Sequence, residues 1–174
     1  MSGQSGYGRI LMNEKYLRIY LQDHLAGSTA GLELARRTRG ANEGTEYGPP
    51  LARIADEIEA DRRMLQGIMD DLGFGGDRLK NAGAWALEKA GRLKLNGELT
   101  GYSALSRVVE LEGLLTGITG KWGLWVALLE LAPSEPRLDA ERLQRLRDRA
   151  EEQRATVEEL REKAAREAFA APQT

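Results

Sequence analysis

The sequence predicts an all-α protein, a four-helix bundle with a long, partly helical crossover between its second and third helices. Three observations carry that prediction. Four stretches repeat apolar residues at the three- and four-residue steps of a helix face. Glycine and proline punctuate the gaps between them. Roughly thirty residues lie between the second and third stretches, where adjacent antiparallel helices need only about 2–8. A connection of that length can run from one end of a bundle to the other and leave helices 2 and 3 parallel.

Helix 1 is expected from about Arg9 to Arg39. Its seam reads Ile10, Leu17, Leu21, His24, Ser28, Gly31 and Ala35, widened by Tyr20, Leu25 and Leu32. Gly27 and Gly31 form a small-xxx-small pair, which predicts close approach of a neighbouring helix. Arg36, Arg37 and Arg39 suit the negative end of the helix dipole, and Gly40 suits a left-handed cap. Helix 2 opens on Pro49 and Pro50, which a first turn tolerates, and stops at Gly73. Its seam, Ile54, Ile58, Asp61, Leu65, Ile68 and Leu72, is a heptad with one acid in it.

The crossover, Gly73 to about Tyr102, is expected to hold a short helix over Ala82–Leu95. Helix 3 is capped by Ser103 and carries the seam Ala104, Val108, Leu111, Leu115, Ile118, Trp122, Trp125 and Leu129. Gly113, Gly117 and Gly120 make a second, small-residue face, to be covered by the crossover or by another subunit. Helix 4 follows Pro133 and Pro136, is capped by Asp139, and runs Leu143, Leu146, Ala150, Gln153, Val157, Leu160, Ala164 and Ala168. Its remaining surface is densely charged and reads as a solvated face laced with i,i+4 pairs. Residues 1–8 are expected to be disordered, 9–170 to form one domain, and 171–174 to fray.

Composition narrows the chemistry. A chain of 174 residues with 41% hydrophobic and 30% charged residues has the size and make-up of one globular domain. A net charge of −2 argues against a polycation built for nucleic acid, which is not the expected partner. Zero cysteines exclude thiol catalysis and thiolate metal sites and agree with a cytoplasmic address. One histidine excludes any site needing two His ligands from one subunit. The segment Leu111–Leu131 is apolar, but Glu112, Lys121 and Glu130 interrupt it, so it reads as a bundle helix and no membrane partner is expected.

The polar seam positions are the candidate site. His24, Asp61 and Gln153 interrupt three seams, and Glu112 is a weaker fourth. At ~1.5 Å per residue, His24 and Gln153 come to one level, with Asp61 roughly 6 Å away along the bundle and Glu112 further still. A buried acid must be paired. The set predicts either a satisfied structural network built around a His–Asp pair, or a small ligand or metal site.

Helix pair, crossover, helix pair, with LQDHLAGSTAGLELARR (21–37) and ADEIEADRRMLQGIMDDLG (55–73), resembles the ferritin-like superfamily, in particular a bacterial family within it whose members are uncharacterised. The resemblance implies iron or manganese held by Glu-x-x-His motifs. Three residues after Glu57 stands Ala60, after Glu59 stands Arg62, after Glu151 Arg154, and after Glu152 Ala155. The motif is therefore missing from both helices. The expectation that follows is a non-catalytic interaction or structural protein, without cofactor or catalytic residues, that forms homo-oligomers around a degenerate metal centre. An alternative metal-binding protein or oxidoreductase would draw its ligands from His24, Glu57, Asp61, Glu110 and Glu112. A third reading, by analogy within the superfamily, is a stress-linked, DNA-associated protein.

Overall fold

The computed structural model describes residues 12–75 and 102–170, all helix and short turns. The expected short helix Ala82–Leu95, the segment 1–8 and the tail 171–174 lie outside the described residues. Four helices are present among the described residues: α1, Glu14–Ala41; α2, Gly48–Asp71; α3, Ala104–Leu131; and α4, Ala140–Phe169.

Local chemistry explains their ends. Asn13, Ser103 and Asp139 accept hydrogen bonds from the backbone N–H groups of Tyr16, Ser106 and Arg142, at 3.2, 3.0 and 2.9 Å. Such a cap contributes about 1 kcal/mol. Ser103 and Asp139 are the caps expected from sequence. Gly40 is not the stop of α1: the helix continues to Ala41, Asn42 follows it, and the left-handed residue is Gly44 at φ 79°. Gly73, at φ 73°, does close α2.

The helices form a square. Within the hairpins α1–α2 and α3–α4 the helices are antiparallel: Arg36 meets Glu59 and Arg39 meets Asp56, while Lys121 meets Gln153 and Arg107 meets Glu167. Arg37–Glu110 pairs the end of α1 with the start of α3. Asp61–Arg149 and Glu57–Gln153 tie α2 to α4. Together these contacts make α2 and α3 parallel, so the end of α2 and the start of α3 lie at opposite ends of the bundle. The α3–α4 side packs most closely, and the α2–α4 side is bridged mainly by long polar side chains.

Two clasps close the ends. At one, Asn42 donates to the Thr38 carbonyl (2.8 Å) and the Tyr102 hydroxyl (2.9 Å) and accepts from Arg107 (2.7 Å). The Arg107 guanidinium lies 4.4 Å from the Tyr47 ring centroid, within cation–π range. At the other, Arg137 grips Glu135 with two hydrogen bonds, 2.7 and 2.8 Å, and donates to the Leu72 carbonyl at the end of α2. Those bonds to Arg137 hold the Glu135 carboxyl down to about 2.

The core is split. One apolar cluster gathers Leu21, Leu25, Leu65, Met69, Trp125, Leu128 and Leu143. The other gathers Leu32, Leu51, Ile54, Leu111, Leu114, Ile118 and Val157. The seam of α2 is buried as its heptad requires, and that of α4 is buried at Leu143, Leu146, Ala150, Gln153, Val157 and Ala164, with Leu160 and Ala168 half-buried. The seam of α3 differs from expectation. Its buried residues include Leu111, Leu114, Ile118, Trp125 and Leu128, whereas Leu115, Trp122 and Leu129 are half-buried. The chosen steps run 3, 4, 3, 4, 3 through position 121, which places a lysine in the core heptad. No described helix is long and apolar enough to cross a membrane.

Candidate functional site

Between the two apolar clusters lies a polar layer, one residue from the seam of each of three helices: Asp61 on α2, Lys121 on α3 and Gln153 on α4. Each is the central polar position of an otherwise apolar heptad. On α1 the corresponding position is the half-buried Ser28, whose hydroxyl donates to the Leu25 carbonyl at 2.6 Å.

Lys121 is the hub. Its Nζ donates to Asp61 Oδ2 and to Gln153 Oε1, both at 2.5 Å. Arg149 pairs with the second Asp61 oxygen. Gln153 turns its amide N–H to Glu57 Oε2 at 2.8 Å, and Arg53 faces the other Glu57 oxygen at 3.9 Å. Asp61 is 1% exposed and Gln153 2%, so both had to find partners inside the protein. Burial pushes the Lys121 ammonium below the ordinary lysine range, and the adjacent Asp61 carboxylate works against that shift.

The expected His–Asp pair does not form. His24 sits on the flank of α1 because the buried line of that helix runs through Leu21, Leu25, Leu32 and Ala35. Its ring packs edge-on to Tyr20, with centroids 4.5 Å apart. Burial lowers the His24 pKa, against a weaker opposing pull from Asp23. Glu112 is exposed and takes no part in the layer, since α3 turns its Leu111–Leu114–Ile118 face inward. Glu110 is buried at the end of the bundle, where it accepts from Arg37 (2.7 Å) and from the Tyr102 hydroxyl (3.1 Å). Glu57 joins the layer through Gln153. Of the alternative ligand set, Asp61 and Glu57 belong to the layer and His24 lines a cleft with Asp61, whereas Glu110 lies at the end of the bundle and Glu112 is exposed. Among the described residues no three His, Cys, Asp or Glu side chains gather where they could hold a metal ion.

His24 gives the protein a pH dependence of definite sign. The folded protein resists protonating this imidazole, whereas the unfolded chain takes up the proton near pH 6.5. Stability therefore carries no penalty from His24 above that pH. It falls as pH drops from about 6.5 towards the lower folded pKa, then levels. As the chain has one histidine, His24→Gln is expected to flatten the stability profile there. Urea midpoints of parent and variant at pH 7.5 and 5.5 measure it; equal losses in both would count against this account.

Beside the layer, between α1 and α3, is a cleft of about 460 Å³. Gly27 and Gly31 on one side and Gly117 and Gly120 on the other form its walls, and Ile58, Leu65, Leu114, Ile118, Leu124 and Trp125 line its apolar interior. His24, Asp61 and Lys121 also line it. The α3 glycine face was expected to be covered by the crossover or another subunit, which lie outside the described residues, and the Gly27–Gly31 pair to mark close approach of a neighbouring helix. Instead, a Cβ added at any of these four glycines would meet nothing within 4 Å among the described residues. Gly113 alone of the α3 glycines is in contact, 2.9 Å from Leu34 Cδ2 to an added Cβ.

Lys121 and Arg149 are the residues that sequence reasoning missed. Lys121 figured there only as an interruption of an apolar run, and Arg149 as helix surface. The signal for Lys121 was the alternative heptad through Leu114 and Leu128. The chain matches no protein-family model and has no match among curated proteins or solved structures.

Proposed function

We propose that this chain is a non-catalytic, ferritin-like helical bundle whose centre is closed by an ammonium in place of a metal ion, acting as an interaction or structural protein that assembles with copies of itself. The single observation behind this reading is Lys121 Nζ bound between Asp61 and Gln153 at 2.5 Å each, with Arg149 on the remaining Asp61 oxygen. A carboxylate already saturated by two cations is a poor ligand for a third, and the fixed positive charge repels an incoming divalent ion. The parallel course of α2 and α3 supports the ferritin-like topology. Tyr16, Ile19 and Tyr20, exposed on neighbouring turns of α1, supply an apolar face for self-association. The absence of cysteine agrees with a cytoplasmic address.

Two measurements test the reading's two parts. Protein purified without chelator is expected to carry no stoichiometric iron or manganese; a full equivalent of either would overturn the closed-centre argument. Light scattering coupled to size exclusion is expected to give a mass above the 19.2 kDa of one chain. A monomer at every concentration would remove the assembly claim while leaving the first untouched.

A further inference from the structure

We propose that the α1–α3 cleft is a binding site for an amphiphilic monocarboxylate, with the apolar body between the glycine walls and the carboxylate on Lys121. Shape, donor inventory and charge converge on that class. At about 460 Å³ the cleft falls within the about 300–1,000 Å³ usual for small-molecule sites. Its walls carry no side chain at Gly27, Gly31, Gly117 and Gly120, and among the described residues nothing crowds those positions, which leaves room for a slender chain or flat ring between them.

Two donors that line the cleft lack an acceptor among the described residues. An ammonium has three N–H donors. Those of Lys121 serve Asp61 and Gln153, which leaves one. One helical turn along α3, Trp125 lines the same cleft, is 1% exposed, and has no hydrogen-bond acceptor for its indole N–H. Of the two acids that line the cleft, Asp61 has both oxygens engaged, and Asp23 is solvent-exposed. The linked network holds three cations, Lys121, Arg149 and Arg53, against two carboxylates, Asp61 and Glu57. A ligand bringing one negative charge and acceptor oxygens balances that set. A cationic head would meet an ammonium, and an alcohol would leave the charge uncompensated.

Isothermal titration with decanoate, decanol and decyltrimethylammonium, each below its micellar concentration, tests the class. Decanoate is expected to bind saturably and about tenfold or more tighter than the other two, the worth of a hydrogen bond to a charged group. Gly117→Leu fills the cleft without a clash at Cβ and is expected to abolish decanoate binding while leaving the fold intact; Gly31→Leu does the same from the opposite wall. Lys121→Met is expected to erase the preference for decanoate over decanol. Should that variant fail to fold, Asp61→Leu/Lys121→Met removes both charges together and serves in its place. No saturable decanoate binding, equal affinity for all three heads, or binding unaffected by both glycine substitutions would overturn the proposal. Metal content and oligomeric mass are read separately, so this site and the preceding reading can fail independently.

Discussion

Replacing Asp61 alone by leucine is expected to destabilise the protein by about 3–5 kcal/mol, the usual cost of breaking a buried ion pair from one side. The carboxylate is 1% exposed and accepts from both Lys121 and Arg149. Without it, the Lys121 ammonium keeps only the Gln153 oxygen within a largely buried layer, while the half-exposed Arg149 can turn to water. The cost comes from that stranded charge and not from the strength of the bond removed. Accordingly, Asp61→Leu/Lys121→Leu/Gln153→Leu, which clears the whole layer, is expected to match or exceed the parent by about 1–4 kcal/mol. Guanidinium denaturation at neutral pH measures both. A single variant within about 1 kcal/mol of the parent would show that the layer is hydrated enough to carry a lone ammonium.

Trp125→Ala is expected to cost about 3–5 kcal/mol, and Trp125→Phe much less. The side chain is among the largest that are fully buried and belongs to the cluster that includes Leu21, Leu65 and Leu128. Truncation removes that burial and extends the cleft the ring already borders, so the neighbours cannot close over the gap. Phenylalanine keeps most of the apolar contact and loses only an N–H that has no acceptor among the described residues. Equal losses in the two variants would mean that the indole edge, not the area, carries the stability. Urea midpoints with near-ultraviolet circular dichroism separate these outcomes.

The sequence was most readable where one helix face is polar. Asp61 and Gln153 stood out because the backs of α2 and α4 are charged, so only one heptad could face inward. Helix α3 offers no such contrast. Leu114 and Leu115, Gly120 and Trp122, and Leu128 and Leu129 put apolar or small residues on several faces, and periodicity alone does not choose among them. The choice falls to Leu114 and Leu128, and with it Lys121 turns inward. Arg149 escaped for a different reason: a long side chain rooted at the surface can carry its charge to a buried partner, which spacing does not reveal. The glycines were legible as a face but not as a cavity, because the same small residues permit either close approach or an open gap. At the end of α1, Asn42 caps the Thr38 and Arg39 carbonyls, and its side chain is held there by Tyr102 and Arg107, both some sixty residues away in the chain.

The hairpin arrangement has a kinetic consequence. The turns 42–47 and 132–139 close short loops, so α1–α2 and α3–α4 can each form early from nearby residues. Asp61 meets Lys121 and Arg149 only when the two hairpins dock, after the longer connection has closed. The layer therefore belongs to the late side of the folding barrier. Asp61→Leu should act by accelerating unfolding and leave the folding rate nearly unchanged, which stopped-flow chevrons of parent and variant would resolve. The last contact made would then be the first to let go, and the lifetime of the folded chain would be governed by one buried ammonium.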